Sequence, residues 1–183
     1  MDCEDITIVA SGDTWLGSGA ARPVESALME NIKGANKTIE MTMAYSYKAR
    51  AFADNIWNAL EDAASKGVKV YLIINEFDNQ DDYERVNVLI KDMKKRHPHH
   101  FKAVSFNSEE GILHAKIIVF DRNIAIISSS NHSDAGYSKN HEMGVLALKT
   151  DNFKNAKDSL LESLKIKRRL NANLKSRGSD AKL

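Results

Sequence analysis

Between residues 38 and 106 the chain alternates between short, continuous apolar runs and longer stretches whose apolar residues recur every three or four positions. This rhythm constrains the fold more than any other feature, because parallel strands joined by amphipathic helices are the simplest structure that buries both patterns. Thr38 to Tyr45 reads as a β-rich stretch and Ala49 to Lys66 as a helix with Phe52, Ile56, Leu60 and Ala63 along one side. Val68 to Phe77 reads as a buried strand, and Tyr83 to Arg96 as a helix with Val86, Leu89, Ile90 and Met93 facing inward. Lys102 to Phe106 reads as a further strand. Ahead of this core, Pro23 suits the first turn of a helix reaching about Asn36, with Val24, Ala27, Leu28 and Ile32 on its apolar side and Gly34 close to its end. Gly67 is placed to end the second helix. The expected architecture is an α/β layered domain, a mixed central sheet flanked by helices with right-handed crossovers.

After residue 106 the pattern changes. Ile112 to Ser130 holds two β-like runs separated only by the polar break Asp121-Arg122-Asn123, which reads as a hairpin. Were Arg122 and Asn123 a two-residue loop, 116 would face 129 and 114 would face 131. That register gathers His114, Lys116, Ser129 and Asn131 into one polar patch, extended as apolar surface by Ile118, Phe120, Ala125 and Ile127, and turns Ser128 to the other face. Each residue has an ordinary reading: a core histidine bonded to a carbonyl, a snorkelling lysine, turn-forming Ser and Asn. Together they form a donor-rich cluster around one nucleophilic imidazole, which suits holding and attacking a phosphate. Met143 to Leu148 reads as a last strand and Asp151 to about Lys167 as a last helix.

A length of 183 residues suits one domain, and no apolar run is long enough to cross a bilayer. The first residues carry acids where a secretory signal would carry Lys or Arg, so a cytoplasmic location is expected. Cys3 is the sole cysteine, which excludes an intrachain disulfide and a CxxC metal knuckle. Residues 165–183 hold seven Lys/Arg and one Asp, a charge of +6, which against the whole-chain +1 leaves −5 for the rest. Uniform basic attraction to nucleic acid is therefore excluded, and phosphate affinity must come from local clusters or the tail. The tail itself reads as a nucleic-acid arm or, more ordinarily, a solvated terminus.

The run HAKIIVFDRNIAIISSSN resembles the phospholipase D superfamily signature H-x-K-x(4)-D-x(6)-G-S-x-N, with His114, Lys116, Asp121, Ser129 and Asn131 at the family spacings. Five fixed positions coincide by chance on the order of 10⁻⁶ per starting point at ordinary residue frequencies, so the match is specific. Ser128 departs from it, standing where the family usually has glycine. Glu142 falls where the small, single-motif Nuc-like endonuclease branch has a downstream glutamate. The resemblance implies a phospholipase D-like sandwich with one catalytic hairpin per chain, divided here as an N-terminal lead-in (1–21), the nuclease domain (22–167) and a basic tail (168–183).

It further implies a homodimer, since the family's site uses two signature motifs and this chain has one. One His114 would attack phosphorus and its symmetry mate would protonate the leaving oxygen, with neither metal nor cofactor. Lys116 and Asn131 would bind non-bridging oxygens with help from Ser129, and Glu142 would hold the far nitrogen of His114. Asp121, at the hairpin turn, would be structural. The resulting expectation is a metal-independent nuclease acting on DNA ahead of RNA. Alternatives are a lipid-acting phosphatidyl hydrolase or transferase, a non-catalytic nucleic-acid-binding subunit, and the nuclease domain of a larger restriction or defence complex. His97, His99 and His100 suggest a metal tract, but lack a carboxylate or cysteine framework and read better as a helix-end loop. His132 and His141 flank site residues with no assigned role, and Tyr45, Tyr47 and Lys48 are candidate substrate contacts at a strand end.

Overall fold

The structure, a computed structural model, describes residues 6–17, 19, 21–43, 51–75, 80–106, 113–133 and 135–148. The chain divides into two compact units, 1–149 and 150–183, and every described residue belongs to the first. The helix expected from Asp151, the basic tail, Cys3, Tyr45, Tyr47 and Lys48 lie outside the described residues.

In chain order the elements are β1 (Ile6–Ser11), α1 (Asp13–Leu16), β2 (Arg22–Pro23), α2 (Val24–Gly34), β3 (Thr38–Met43), α3 (Ala51–Ser65), β4 (Lys69–Asn75), α4 (Gln80–Arg96), β5 (Phe101–Phe106), β6 (Ile117–Phe120), β7 (Ile124–Ser128), a π-helical turn (Ala135–Lys139) and β8 (Glu142–Leu148). Their strands form one mixed eight-stranded sheet in the order β2-β1-β8-β7-β6-β3-β4-β5. The expected layered α/β fold is the one observed. β3, β4 and β5 are mutually parallel, as strands linked by α3 and α4 must be to lie side by side. β6, β7 and β8 join antiparallel.

The helical stripes read from the sequence are the faces that pack. Val24, Ala27, Leu28 and Ile32 of α2, Ile56, Leu60 and Ala63 of α3, and Val86, Ile90 and Met93 of α4 are buried with the sheet residues Ile39, Met41, Val70, Leu72, Ile118, Phe120, Ile126 and Leu146. A fully buried side chain such as Leu28, Leu60 or Phe120 contributes roughly 1.5–3 kcal/mol relative to exposure. Gly67, at φ 91°, ends α3 with Val68 N donating to Ala63 O at 3.0 Å and Gly67 N to Ala64 O at 3.1 Å. This is the paired bonding of a left-handed C-terminal cap, which glycine adopts without a Cβ penalty. Pro23 sits one position earlier than expected, at the N-cap of α2.

Two details differ from the sequence reading. Residues 6–11, not recognised there as a strand, pair antiparallel with β8 from Ile6 opposite Ala147 to Ser11 opposite Glu142. The hairpin register is also shifted by one: Phe120 faces Ile124 and Ile118 faces Ile126. The loop therefore holds three residues, with Asn123 N donating to Phe120 O at 2.9 Å and both Asp121 (φ 52°) and Arg122 (φ 59°) left-handed. Ile118 and Phe120 consequently share the core face with Ile124 and Ile126, while Ala125 and Ile127 lie on the other face. Ser128 N donates to Lys116 O at 3.2 Å, so Ser128, not Ser129, stands across from Lys116.

Candidate active site

One end of the sheet collects the candidate residues. There β3 ends at Met43, β7 ends at Ser128, β8 begins at Glu142, and residues 113–116 lead into β6 without being part of it. Open α/β sheets commonly bind ligands outside the carboxyl ends of their parallel strands, which is this end of β3. The lead-in is held by Thr42, whose Oγ1 donates to Ala115 O at 2.7 Å and accepts from Ile117 N at 2.9 Å. A side chain thus supplies the bonds where the β3–β6 ladder stops, and it does so at the residue between His114 and Lys116.

His114 is exposed and Lys116 is buried, with only 6% of its surface accessible. Lys116 Nζ donates to His114 O at 2.9 Å and lies 3.1 Å from both His114 ring nitrogens. Residues two apart thus converge as the sequence reading expected, though from an extended lead-in instead of a regular strand. Burial lowers the Lys116 pKa, and the nearby Glu142 carboxylate works in the opposite direction. A partly desolvated ammonium beside an exposed imidazole offers positive charge to an arriving anion.

Ser129 is exposed and its hydroxyl donates to Glu142 Oε2 at 2.5 Å, while Met143 N donates back to Ser129 Oγ at 3.2 Å. Glu142 Oε1 accepts from Asn140 Nδ2 at 3.2 Å. The Glu142 carboxylate is thus held by Ser129 and Asn140, and its charge acts on Lys116. Asn131 follows in the loop after β7, partly buried, and its Oδ1 is enclosed with no hydrogen-bond partner among the described residues. Ser130 Oγ, fully buried, is likewise without a partner there.

Asp121 lies at the far end of β6, on the order of 20 Å from His114 at about 3.3 Å per strand residue. Its Oδ1 accepts from Lys37 N at 2.7 Å and Thr38 N at 2.8 Å, and its Oδ2 from Asn36 N at 2.8 Å. Burial raises its pKa, but the backbone donors and Lys37 outweigh burial and leave it lowered. Asp121 clips the hairpin turn to the start of β3.

The remaining histidines separate cleanly. His132 is buried: Nε2 lies 2.7 Å from Thr42 O, and Nδ1 meets the Tyr137 hydroxyl. Since a carbonyl only accepts, Nε2 carries the proton and Nδ1 accepts from Tyr137. Burial, opposed by the Thr42 bond and reinforced by Lys116, depresses its pKa to about 4. His141 is exposed and packs edge-to-face on Trp15 with ring centroids 5.7 Å apart. His97 lies in the turn after α4, with Nε2 3.5 Å from Glu61 Oε1. Thr42 and Tyr137 were missed from the sequence. Thr42 lies in an apolar β-rich run and Tyr137 five residues beyond His132, at no spacing that suggests a pair.

Residues 28–164 match the family described as "Cardiolipin synthase, PLD-like domain". A curated relative, the DISARM protein DrmC of Bacillus paralicheniformis, is 30% identical over 128 residues, covering 68% of this chain and 50% of its own length. The chain thus spans about half the length of that relative. Among solved structures, Nuc, a phospholipase D family member from Salmonella typhimurium, aligns with a TM-score of 0.61 and 22% identity over 87% of this chain and 91% of its own. NucT from Helicobacter pylori aligns at 0.64 and 20% over 87% and 96%. At these identities the two structures speak for the shared fold. With three quarters of its length inside the matched family and the same fold throughout the described core, the chain belongs to the phospholipase D superfamily, whose chemistry acts on phosphodiesters.

Proposed function

We propose that this chain is a nuclease that hydrolyses nucleic acid, DNA ahead of RNA, through a phosphohistidine on His114 in a homodimeric site that needs no metal. The observation that carries the reading is the placement of an exposed His114 against a buried Lys116 cation, beside the Ser129–Glu142 pair at the same end of the sheet.

In the proposed reaction a neutral His114 forms a nitrogen–phosphorus bond as the bond from phosphorus to the leaving oxygen breaks. The second protomer's His114, protonated, gives its proton to that oxygen and then takes one from water. Water attacks phosphorus, the nitrogen–phosphorus bond breaks, and the enzyme is restored. Splitting the displacement into two steps lowers each barrier. Lys116 and Asn131 stabilise charge on the non-bridging oxygens, and Ser129, oriented by Glu142, adds a hydrogen bond. Glu142 also holds the positive charge of the site through Lys116, and in the dimer its carboxylate supports the His114 imidazolium. Ser128, turned to the Lys116 face, borders this cluster.

Two other readings have specific support. The name of the matched family favours phosphatidyl transfer or hydrolysis on lipid, although no helix among the described residues is long and apolar enough to cross a membrane. The half-length match to DrmC favours a role as the catalytic part of a larger defence assembly.

The test is cleavage of labelled single-stranded DNA, duplex DNA and RNA in excess EDTA by wild type and His114→Ala. Cleavage present in wild type and lost in the variant supports the proposal and ranks the substrates. Failure of wild type on all three, with turnover of phosphatidylcholine vesicles, would move the assignment to lipid.

A further inference from the structure

The Asn131 Oδ1 is enclosed and without a partner among the described residues. The residue's position is set through its backbone. Ser133 N donates to Asn131 O at 2.7 Å, and Gly136 passes so close that a Cβ there would fall 2.3 Å from the same oxygen. The next residue, His132, is buried and uses both ring nitrogens, one on Thr42 O of β3 and the other on the Tyr137 hydroxyl of the π-helical turn. Thr42 also grips Ala115 and Ile117 with its side chain. A single residue of β3 is therefore bonded to the His114–Lys116 segment through Oγ1 and to the Asn131 loop through its carbonyl.

We infer that Thr42, His132 and Tyr137 form a buried brace that fixes Asn131 against Lys116, with His132 as the positioning residue for the phosphate site. This rests on the proposed role of Asn131 and Lys116 in holding phosphate. The brace suits the task because an imidazole with both nitrogens bonded to separate elements has one allowed orientation. A position serving only as filler among Met41, Met43, Ile56, Trp57 and Leu60 would favour an apolar residue over an imidazole that needs two buried partners. Removing the polar links should leave the fold in place but let Asn131 drift, and a displacement near 1 Å costs on the order of 100-fold in rate.

The experiment compares wild type, His132→Phe, His132→Gln and Tyr137→Phe with bis(4-nitrophenyl) phosphate as substrate, alongside urea unfolding of each. The expected result is a fall in kcat of about 100-fold in His132→Phe with a much smaller change in KM. His132→Gln, whose amide can still donate to Thr42 O, should recover about tenfold of that loss, and Tyr137→Phe should lose about three- to tenfold. Wild-type NMR spectra at pH 7 should show a slowly exchanging Nε2–H for His132. Wild-type kcat in a folded His132→Phe would overturn the inference. So would losses that simply track the unfolded fraction, with Gln no better than Phe. If wild type turns over no phosphodiester, the nuclease reading fails and the brace is judged on inorganic phosphate, followed by ³¹P line broadening. Binding at least tenfold weaker in His132→Phe sustains it, and equal binding removes it.

Discussion

Gly144 lies directly across the β7–β8 ladder from Ser128, and a Cβ at 144 would fall 2.4 Å from Ile127 O and 2.5 Å from Ser128 Cβ. The serine that replaces the usual family glycine is accommodated because its neighbour has no side chain. Gly144→Ala must push β7 and β8 apart beside Ser129 and Glu142, at a cost of about 1–3 kcal/mol or more for overpacking. Urea unfolding should show this loss, with activity falling further than stability. Ser128→Gly should not rescue the variant, because the Ile127 carbonyl remains in the way.

In the proposed site Lys116 trades stability for chemistry. Burial lowers its pKa, meaning that the folded chain holds the charged form less readily than the unfolded chain. The sign follows: this unfavourable contribution is full at neutral pH and is relieved only as pH rises from the lowered folded value towards the ordinary lysine value. Lys116→Met should therefore unfold at a higher urea concentration than wild type at pH 7, while phosphodiesterase activity is lost. A variant both less stable and active would contradict this role.

Asp121 contributes stability without touching the site. Asp121→Asn replaces an anion that accepts three backbone N–H bonds, and should cost about 2 kcal/mol at pH 7, within the range for charged hydrogen bonds. Because the folded pKa is lowered, the carboxylate's contribution is present above the ordinary aspartate value and disappears as pH falls through the folded one. The stability difference between wild type and variant should narrow in acid, and kcat in the folded variant should stay near wild type.

Two histidines separate the effects of acid on rate and on stability. In the proposed mechanism a pair of His114 rings works with one neutral and one protonated, so kcat/KM should be bell-shaped in pH, and a flat profile would count against the pair. His132, held to about 4 in the fold against an ordinary 6.5, is neutral where the unfolded chain already takes up a proton. Stability should thus decline as pH falls from 6.5 to 4, by on the order of 3 kcal/mol. His132→Phe should lack that decline in urea titrations, at whatever absolute stability it has.

The helical layer was legible because burial repeats every three to four residues: Leu28 and Ile32, Ile56 and Leu60, Val86 and Ile90 sit where periodicity places them. The clustering of His114 with Lys116 was legible from their spacing. The hairpin register was not, because left-handed Asp121 and Arg122 carry no glycine to announce a three-residue loop. β1 was missed because its Ile6 and Ile8 stay exposed, each 42% accessible, so the strand lacks a clear buried face. The Thr42–His132–Tyr137 brace joins residues up to 90 positions apart through a carbonyl, and backbone acceptors leave no mark in a sequence.

The proposed reaction turns on His114 as the covalent nucleophile. The most direct test is to quench oligonucleotides labelled at one end or the other in SDS during turnover, in EDTA, and separate the protein by electrophoresis, since only the fragment that keeps the scissile phosphate stays bonded to the histidine. Label attached to wild-type protein, stable in alkali, labile in acid and missing from His114→Ala is the predicted result. A wild type that cleaves the oligonucleotide without ever carrying label, or a His114→Ala variant that still does, would contradict it.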